Sequence, residues 1–253
     1  MNWWLKPQRT PLIVAHRGSS AKAPENTLAA FSKAIDEGAD AIELDVHLSK
    51  DGEMVVIHDD RLERTTDGRG YVRDWKLMEL KKLSAGKWFH KKFSRERIPT
   101  LSEVLSIVDG RIGVNIEIKA SSNKRTKFVL LQRCLNIVND HRAMAISMIS
   151  SFNDSIAERV KELDRSVASG IIYHPLWHVR RNPESLAMKC HTDYLIMNRR
   201  ILRKHIVNDA HLDGLRVGVY TVNTIHSCAR MNRIKVDCLF SDNPSIALNL
   251  TLE

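Results

Sequence analysis

Residues 39–60, ADAIELDVHLSKDGEMVVIHDD, constrain this chain more than any other stretch. Two carboxylates, Glu43 and Asp45, stand one residue apart in an apolar run, and a histidine, His58, closes the segment after a Lys-Asp-Gly turn. Side chains alternate across a strand, so Glu43 and Asp45 share one face while Ile42, Leu44 and Val46 share the other. If Asp51-Gly52 closes a hairpin, the pairing puts Asp45 roughly across from His58. If the segment instead supplies two parallel barrel strands, both sets end on the same rim. Either arrangement gathers the same three residues.

The flanking chain alternates strand and helix patterns. Pro11-Leu-Ile-Val-Ala15 is a short apolar run that stops at His16-Arg17-Gly18, as a buried strand ending in a functional loop does. Pro24-Glu-Asn-Thr reads as a turn and helix start with Asn26 as its cap; Leu28, Phe31 and Ile35 share a face and Gly38 ends the helix. Thr100-Leu-Ser-Glu103 is a capping box that opens a second helix, stopped by Gly110. In Gly113-Val-Asn-Ile-Glu-Ile-Lys119, the residues Asn115, Glu117 and Lys119 take one face of an otherwise apolar strand. Polar residues on a buried strand need a reason, and at a barrel rim that reason is a site.

Beyond Lys119 the pattern predicts helices around 124–139 and 153–163 and strands at 143–151 and 167–173. An irregular helix then leads to strands at 193–197, 215–222 and 237–241. The count is nine strand-like segments for an eight-stranded (β/α)8 TIM barrel, so one is a hairpin arm or an extension. A length of 253 residues suits one such barrel, and we expect 1–253 to form a single domain. Residues 61–98 break the alternation with an insertion after the strand ending in His58. Their basic residues and Trp75, Trp88, Phe89 and Phe93 read as solvated lysines over a small satellite core, with a substrate-facing or membrane-facing surface as the alternative.

Charge narrows the partners without choosing one. Lys and Arg number 39 against 30 Asp and Glu, a net charge of +9 that favours anionic partners. No single-strand platform, helix-turn-helix or zinc-finger spacing is present, so nucleic acid is not an expected partner. No apolar run approaches the length of a membrane span, and MNWWLKPQRT lacks a secretory h-region, so no stable membrane insertion is expected. Cys134, Cys190, Cys228 and Cys238 lie far apart without a C-x-x-C, which fits a reducing, cytoplasmic setting. Trp3-Trp4 read as a cover for the barrel floor.

The segments AHRGSSAKAPENTLAAF, IELDVHLSKDG, VVIHDDRLERTTDGRG, IPTLSEVL, NIEIK, SSF, VGVYTVN and DCLFSDNP occur in an order and spacing that resemble the glycerophosphodiester phosphodiesterases, particularly the short bacterial cytoplasmic members. The resemblance spans nearly the whole chain. It implies a TIM barrel whose insertion follows the His-Asp strand. It also implies hydrolysis of deacylated phospholipid headgroup diesters to sn-glycerol 3-phosphate and an alcohol. By position it implies His16 and His58 as a general acid/base pair, Glu43, Asp45 and Glu117 as ligands of one divalent cation, and Arg17 and Lys119 as phosphate contacts. The chain departs from the family in having Ser19-Ser20 after His-Arg-Gly and Tyr220 where a Trp is frequent.

The residues make the same case on chemical grounds. Three carboxylates on one rim repel and partly protonate unless a cation sits among them, and all-oxygen ligation points to Mg²⁺ or Ca²⁺. Arg17, Lys119 and the cation then face the negative charge that grows on a phosphodiester in its transition state. Two histidines suit the proton transfers near neutral pH. The nucleophile is either water or the substrate's own 2-hydroxyl. His47, His90, His141, His174, His178, His191, His205, His211 and His226 read as ordinary polar residues. Rival functions are a lysophospholipase D-like activity, a phosphate-ester-binding protein without turnover, and nucleic-acid binding. Ser151-Phe152, Tyr220 and Asn223 read as pocket-rim residues, with core packing as the alternative.

Overall fold

Strand β1 (Leu12–His16) pairs in parallel on both edges: with β2 (Ala41–Leu48) in the register His16 opposite Glu43, and with β9 (Cys238–Ser241) in the register Val14 opposite Phe240. That double pairing closes the sheet. The computed structural model describes residues 2–7, 9–119 and 124–250. Around the ring from β2 come β4 (Gly113–Ile118), β5 (Ser147–Ser151), β6 (Ala168–Tyr173), β7 (Tyr194–Asn198) and β8 (Arg216–Tyr220), each parallel to its neighbour, before β9. Eight parallel strands therefore form the expected barrel. The surplus strand is β3 (Met54–Val56), which pairs antiparallel with β2 as a hairpin arm.

The helices fill the connections: α1 (Leu28–Asp36), α2 (Leu77–Leu80), α3 (Leu101–Val108), α4 (Lys124–Asp140), α5 (Asp154–Leu163), α6 (Pro183–Lys189), α7 (Lys204–Leu212), α8 (Ile225–Arg233) and α9 (Pro244–Leu250). Thr100 caps α3 as its spacing predicts, with its hydroxyl accepting from the Glu103 N–H and the Glu103 carboxylate accepting from the Thr100 N–H. Asn26 does not cap α1. Thr27 does, accepting from the Ala30 N–H, while Asn26 adopts a left-handed backbone and sends its side chain to the barrel rim.

Period-two alternation sorts the strand residues. The outward set, including Ile42, Leu44, Val46, Val114, Ile116 and Ile118, is fully buried against α1, α3 and α4. Truncating one of these, Ile116→Ala for example, costs about 2–5 kcal/mol. The inward set at the strand starts, Leu12, Val14, Ala41, Met148, Ala168, Tyr194 and Cys238, packs on Trp4. Trp4 is the barrel floor: it is fully buried, donates its indole N–H to Ile146 O at 2.8 Å, and its carbonyl accepts from the Tyr194 hydroxyl at 2.7 Å. Gly113 permits the closure beneath, because a Cβ there would stand 2.5 Å from the Trp3 ring.

Residues 61–98 lie over β3. Leu62, Val72, Leu80, Ala85 and Ile98 form a small core with Val55 and Ile57, against which Trp75, Leu77 and Leu83 pack. Trp88 donates to Ala85 O, and Phe89 and Phe93 stack edge to face. Of the segment's aromatic residues, Trp75 packs on this core, Trp88 is exposed, and Tyr71, Phe89 and Phe93 are half-buried.

Candidate active site at the barrel rim

The strand registers alone assemble the site. His16 lies opposite Glu43, Glu43 opposite Asn115, and Asp45 opposite Glu117. All five point into the barrel at its C-terminal end, where barrel sites form. The hairpin adds His58. Ser49–Glu53 makes the turn, with Gly52 at φ +84°, and the pairing of Val46 with Val56 puts Ile57 opposite Asp45, joined by the Ile57 N–H to Asp45 O bond at 3.0 Å. His58 is therefore one residue further along than a direct partner of Asp45, and two beyond the end of β3. Its ring lines the same cavity of about 210 Å³ as the side chains of His16, Arg17, Glu43, Glu117 and Lys119.

Glu43, Asp45 and Glu117 are buried, and one oxygen from each lies within 4.8 Å of the others. Burial and repulsion from Asp45 push the Glu43 carboxyl up to about 8. Glu117 is raised as well, by burial and by Asp45, against the pull of Lys119. Asp45 goes the other way: burial opposes its charge, but Lys119 and Arg17 outweigh burial and hold it well below the usual range. Lys119 Nζ sits 2.7 Å from Asp45 Oδ1 and 2.5 Å from Glu117 Oε1. The Asn26 amide donates to Asp45 Oδ2 at 2.8 Å.

Arg17 follows β1 with φ +58°. Its N–H donates to Glu43 Oε2 at 2.9 Å, its guanidinium holds Glu25 at 2.8 Å, and its buried Nε faces Asp45 Oδ2 at 3.5 Å without a hydrogen-bond partner. Gly18 makes this turn possible: at φ +80° its Cα approaches α1 so closely that a Cβ would meet Ala30 at 2.6 Å.

The two histidines are held differently. His16 Nδ1 bonds Asp242 Oδ1 at 2.6 Å, and Asp242 is itself fixed by Asn223 and Ser20. Burial lowers the His16 pKa, but the Asp242 hydrogen bond and the Glu43 charge more than offset it, leaving His16 above its ordinary value. His58 Nδ1 bonds Asp59 at 2.5 Å, and Arg64 holds Asp59 and bridges to Glu25. Burial, with Lys119 and Arg17 nearby, leaves His58 below its ordinary value despite Asp45 and Asp59. His47 Nε2 rests on His58 O at 3.1 Å.

Sequence reasoning assigned no role at the site to Asn26, Asp59, Arg64 or Asp242. Asn26 sat in a helix-start pattern, and Asp242 is brought to the site only by barrel closure. The residues present fit a hard cation. Three carboxylates converge, and the buried Asn115 Oδ1, which has no hydrogen-bond partner, opens on the same cavity. The cavity's other wall is apolar, made by Phe152, Ile172, Ile196, Tyr220 and Phe240.

The sequence model of the glycerophosphoryl diester phosphodiesterase family matches residues 16–246, from the first site histidine to a point beyond Asp242. The chain belongs to that family. It is a phosphoric diester hydrolase that acts on glycerophosphodiesters. It is 37% identical over 248 residues to a glycerophosphodiester phosphodiesterase of Caldanaerobacter subterraneus, covering 94% of this chain and 97% of that one. It is 29% identical to a Bacillus subtilis glycerophosphodiester phosphodiesterase, covering 96% and 86%. Among solved structures it resembles a phosphodiesterase of Oleispira antarctica in complex with its product sn-glycerol-3-phosphate, with a TM-score of 0.89, 29% identity and coverage of 96% and 98%. Among the described residues no helix is long and apolar enough to cross a membrane.

Proposed function

We propose that the enzyme releases sn-glycerol 3-phosphate and an alcohol from small glycerophosphodiesters, with His16 and His58 moving protons and Glu43, Asp45 and Glu117 holding one Mg²⁺ or Ca²⁺. The observation that carries this reading is a cluster of three buried carboxylates at the barrel rim, two of which, Glu43 and Glu117, line one cavity with the two differently held histidines. The Oleispira antarctica phosphodiesterase, solved with sn-glycerol-3-phosphate, supports the product. When bound, the cation supplies a Lewis acid and a counter-charge for the phosphate oxygens.

The chain's own residues do the rest. His58, held below its ordinary pKa, is the neutral member that takes the proton from the attacking hydroxyl. His16, held charged on Asp242, gives its Nε2 proton to the leaving alkoxide. Arg17 and Lys119 line the cavity beside the carboxylates and face the phosphate. We read 1–253 as one working unit with 61–98 as its insertion, and a cytoplasmic setting is supported by four buried free cysteines.

The test is release of glycerol 3-phosphate from glycerophosphocholine by the purified protein, with and without EDTA, followed by Mg²⁺ or Ca²⁺ restoration. Release that EDTA stops and one metal restores is the expected result. Turnover that is indifferent to EDTA would remove the metal from this reading.

A further inference from the structure

The rim loop between β6 and α6 turns its apolar residues outward. Leu176 is 77% exposed, Trp177 64% and Val179 63%, three large apolar side chains within four positions. Large apolar groups exposed side by side and rimmed by polar residues mark an interaction surface. Here the loop is pinned in that presentation by His178, which is buried beneath it. His178 Nε2 rests on Phe152 O at 3.0 Å, its Nδ1 accepts from the His174 N–H at 3.1 Å, and its ring stacks on Tyr173. The polar residue is inside and the apolar residues are outside.

The two loops at this tip carry charge of one sign. Tyr173 lies opposite Met197 in the β6–β7 register, so the loops that follow these strands leave the rim side by side. Residues 174–182 and 199–203 carry Arg180, Arg181, Arg199, Arg200 and Arg203 and no Asp or Glu. Arg181 pairs with Asp154 of α5, while Arg180 and Arg200 are exposed. An exposed Trp-Leu-Val tip flanked by arginines is the composition that suits an anionic lipid interface, with apolar groups among the acyl chains and guanidinium groups among the headgroup phosphates. The tip also belongs to the site's own rim, because Trp177 packs 4.7 Å from Phe152, which lines the catalytic cavity.

We propose that the loops after β6 and β7 form a docking face for anionic membrane surfaces, which turns the mouth of the catalytic cavity toward the lipid. The test is co-sedimentation of the full chain with vesicles of phosphatidylcholine alone and of phosphatidylcholine mixed with phosphatidylglycerol. The wild type should partition onto the mixed vesicles and much less onto the neutral ones. Leu176→Ser with Val179→Ser should weaken that partition about tenfold or more by removing the apolar contact. Arg180→Ser with Arg200→Ser should weaken it about thirtyfold, at ~1 kcal/mol per arginine, and abolish the preference for anionic lipid.

Turnover of glycerophosphocholine, which needs no docking, should stay at the wild-type level in both double variants and so report folding. Binding is read without turnover, so an inactive protein that still binds vesicles leaves the docking face standing. Three results overturn it: no wild-type binding to mixed vesicles, binding that the Leu176/Val179 variant leaves unchanged, or self-association without lipid that this variant abolishes, which would make the occupant a second copy of the chain.

Discussion

Asp242 and His16 stand 226 residues apart in the chain and meet at 2.6 Å, across the seam where β9 closes the barrel on β1. The carboxylate fixes which ring nitrogen faces the cavity and favours the charged imidazole.

Asp242→Asn removes that charge and keeps the shape. His16 then falls toward its ordinary pKa, so the basic limb of the pH–rate profile, where the proton donor is lost, should move to lower pH. With His16 as the proposed proton donor, the rate should drop about 10- to 100-fold, the usual scale for loss of an orienting partner. Stability carries its own signature. His16 has a raised folded pKa, so its contribution is present below 6.5 and is lost as pH rises through that folded value; Asp242 has a lowered one, so its contribution is present above 3.8 and is lost as pH falls. The stability gap between wild type and variant should therefore be widest between these values. A pH-independent gap in urea melts would show that the pair has no charge coupling.

His58→Gln should reduce kcat about 10²- to 10⁴-fold, the range that general acid–base groups contribute, while the melting temperature stays near wild type because the ring is only partly buried. The acidic limb of the pH–rate profile should vanish with it. Wild-type turnover in this variant would remove His58 from proton transfer.

The two carboxylates of β2 should part company in metal-free protein. Asp45→Asn leaves the buried Lys119 ammonium and Arg17 guanidinium without their shared partner, and breaking a buried pair costs about 3–5 kcal/mol. Glu43→Gln should leave stability at pH 7 unchanged or higher, because burial and Asp45 disfavour the Glu43 charge in the folded protein and the neutral amide removes that penalty. A raised carboxylate contributes stability that is complete below 4.5 and fades as pH climbs to its folded value, so Glu43→Gln should flatten that decline. Both variants, with Glu117→Gln, should weaken binding of Mg²⁺ or Ca²⁺ in calorimetric titration. Equal melting losses for Asp45→Asn and Glu43→Gln under EDTA would contradict the charge assignment.

The sequence carried more of the site than of its supports, for a physical reason. Glu43, Asn115, Glu117 and Lys119 reach the cavity, and Asp45 the carboxylate cluster beside it, through strand alternation, a local property visible in a handful of residues. His16 sits where an apolar run stops. The partners that tune these groups arrive through closure: Asp242 comes from the last strand, and Arg64 folds back from the insertion onto both Glu25 and Asp59. Asn26 misled because a residue type that caps helices is equally able to bond a buried aspartate, and only the left-handed turn after Pro24 decides between them. The ninth strand was countable, but its antiparallel sense depended on whether Asp51-Gly52 made a tight turn.

Arg64 offers a test of whether the insertion tunes the chemistry. Its guanidinium holds both Asp59 oxygens and both Glu25 oxygens, and it keeps the Asp59 carboxyl down at about 2. Asp59 in turn rests on His58 Nδ1, so its negative charge is shared between a permanent cation and an imidazole. Arg64→Gln removes the competitor, and the whole of that charge then acts on His58. The His58 pKa should rise, because a nearby carboxylate stabilises the protonated ring. With His58 as the neutral base proposed above, the acidic limb of the pH–rate profile should move to higher pH while the plateau rate changes little. His58→Gln in the same background removes that limb altogether, which assigns the shift to this ring. A profile that keeps its acidic limb in place in Arg64→Gln would show that Arg64 holds the loop without tuning the base.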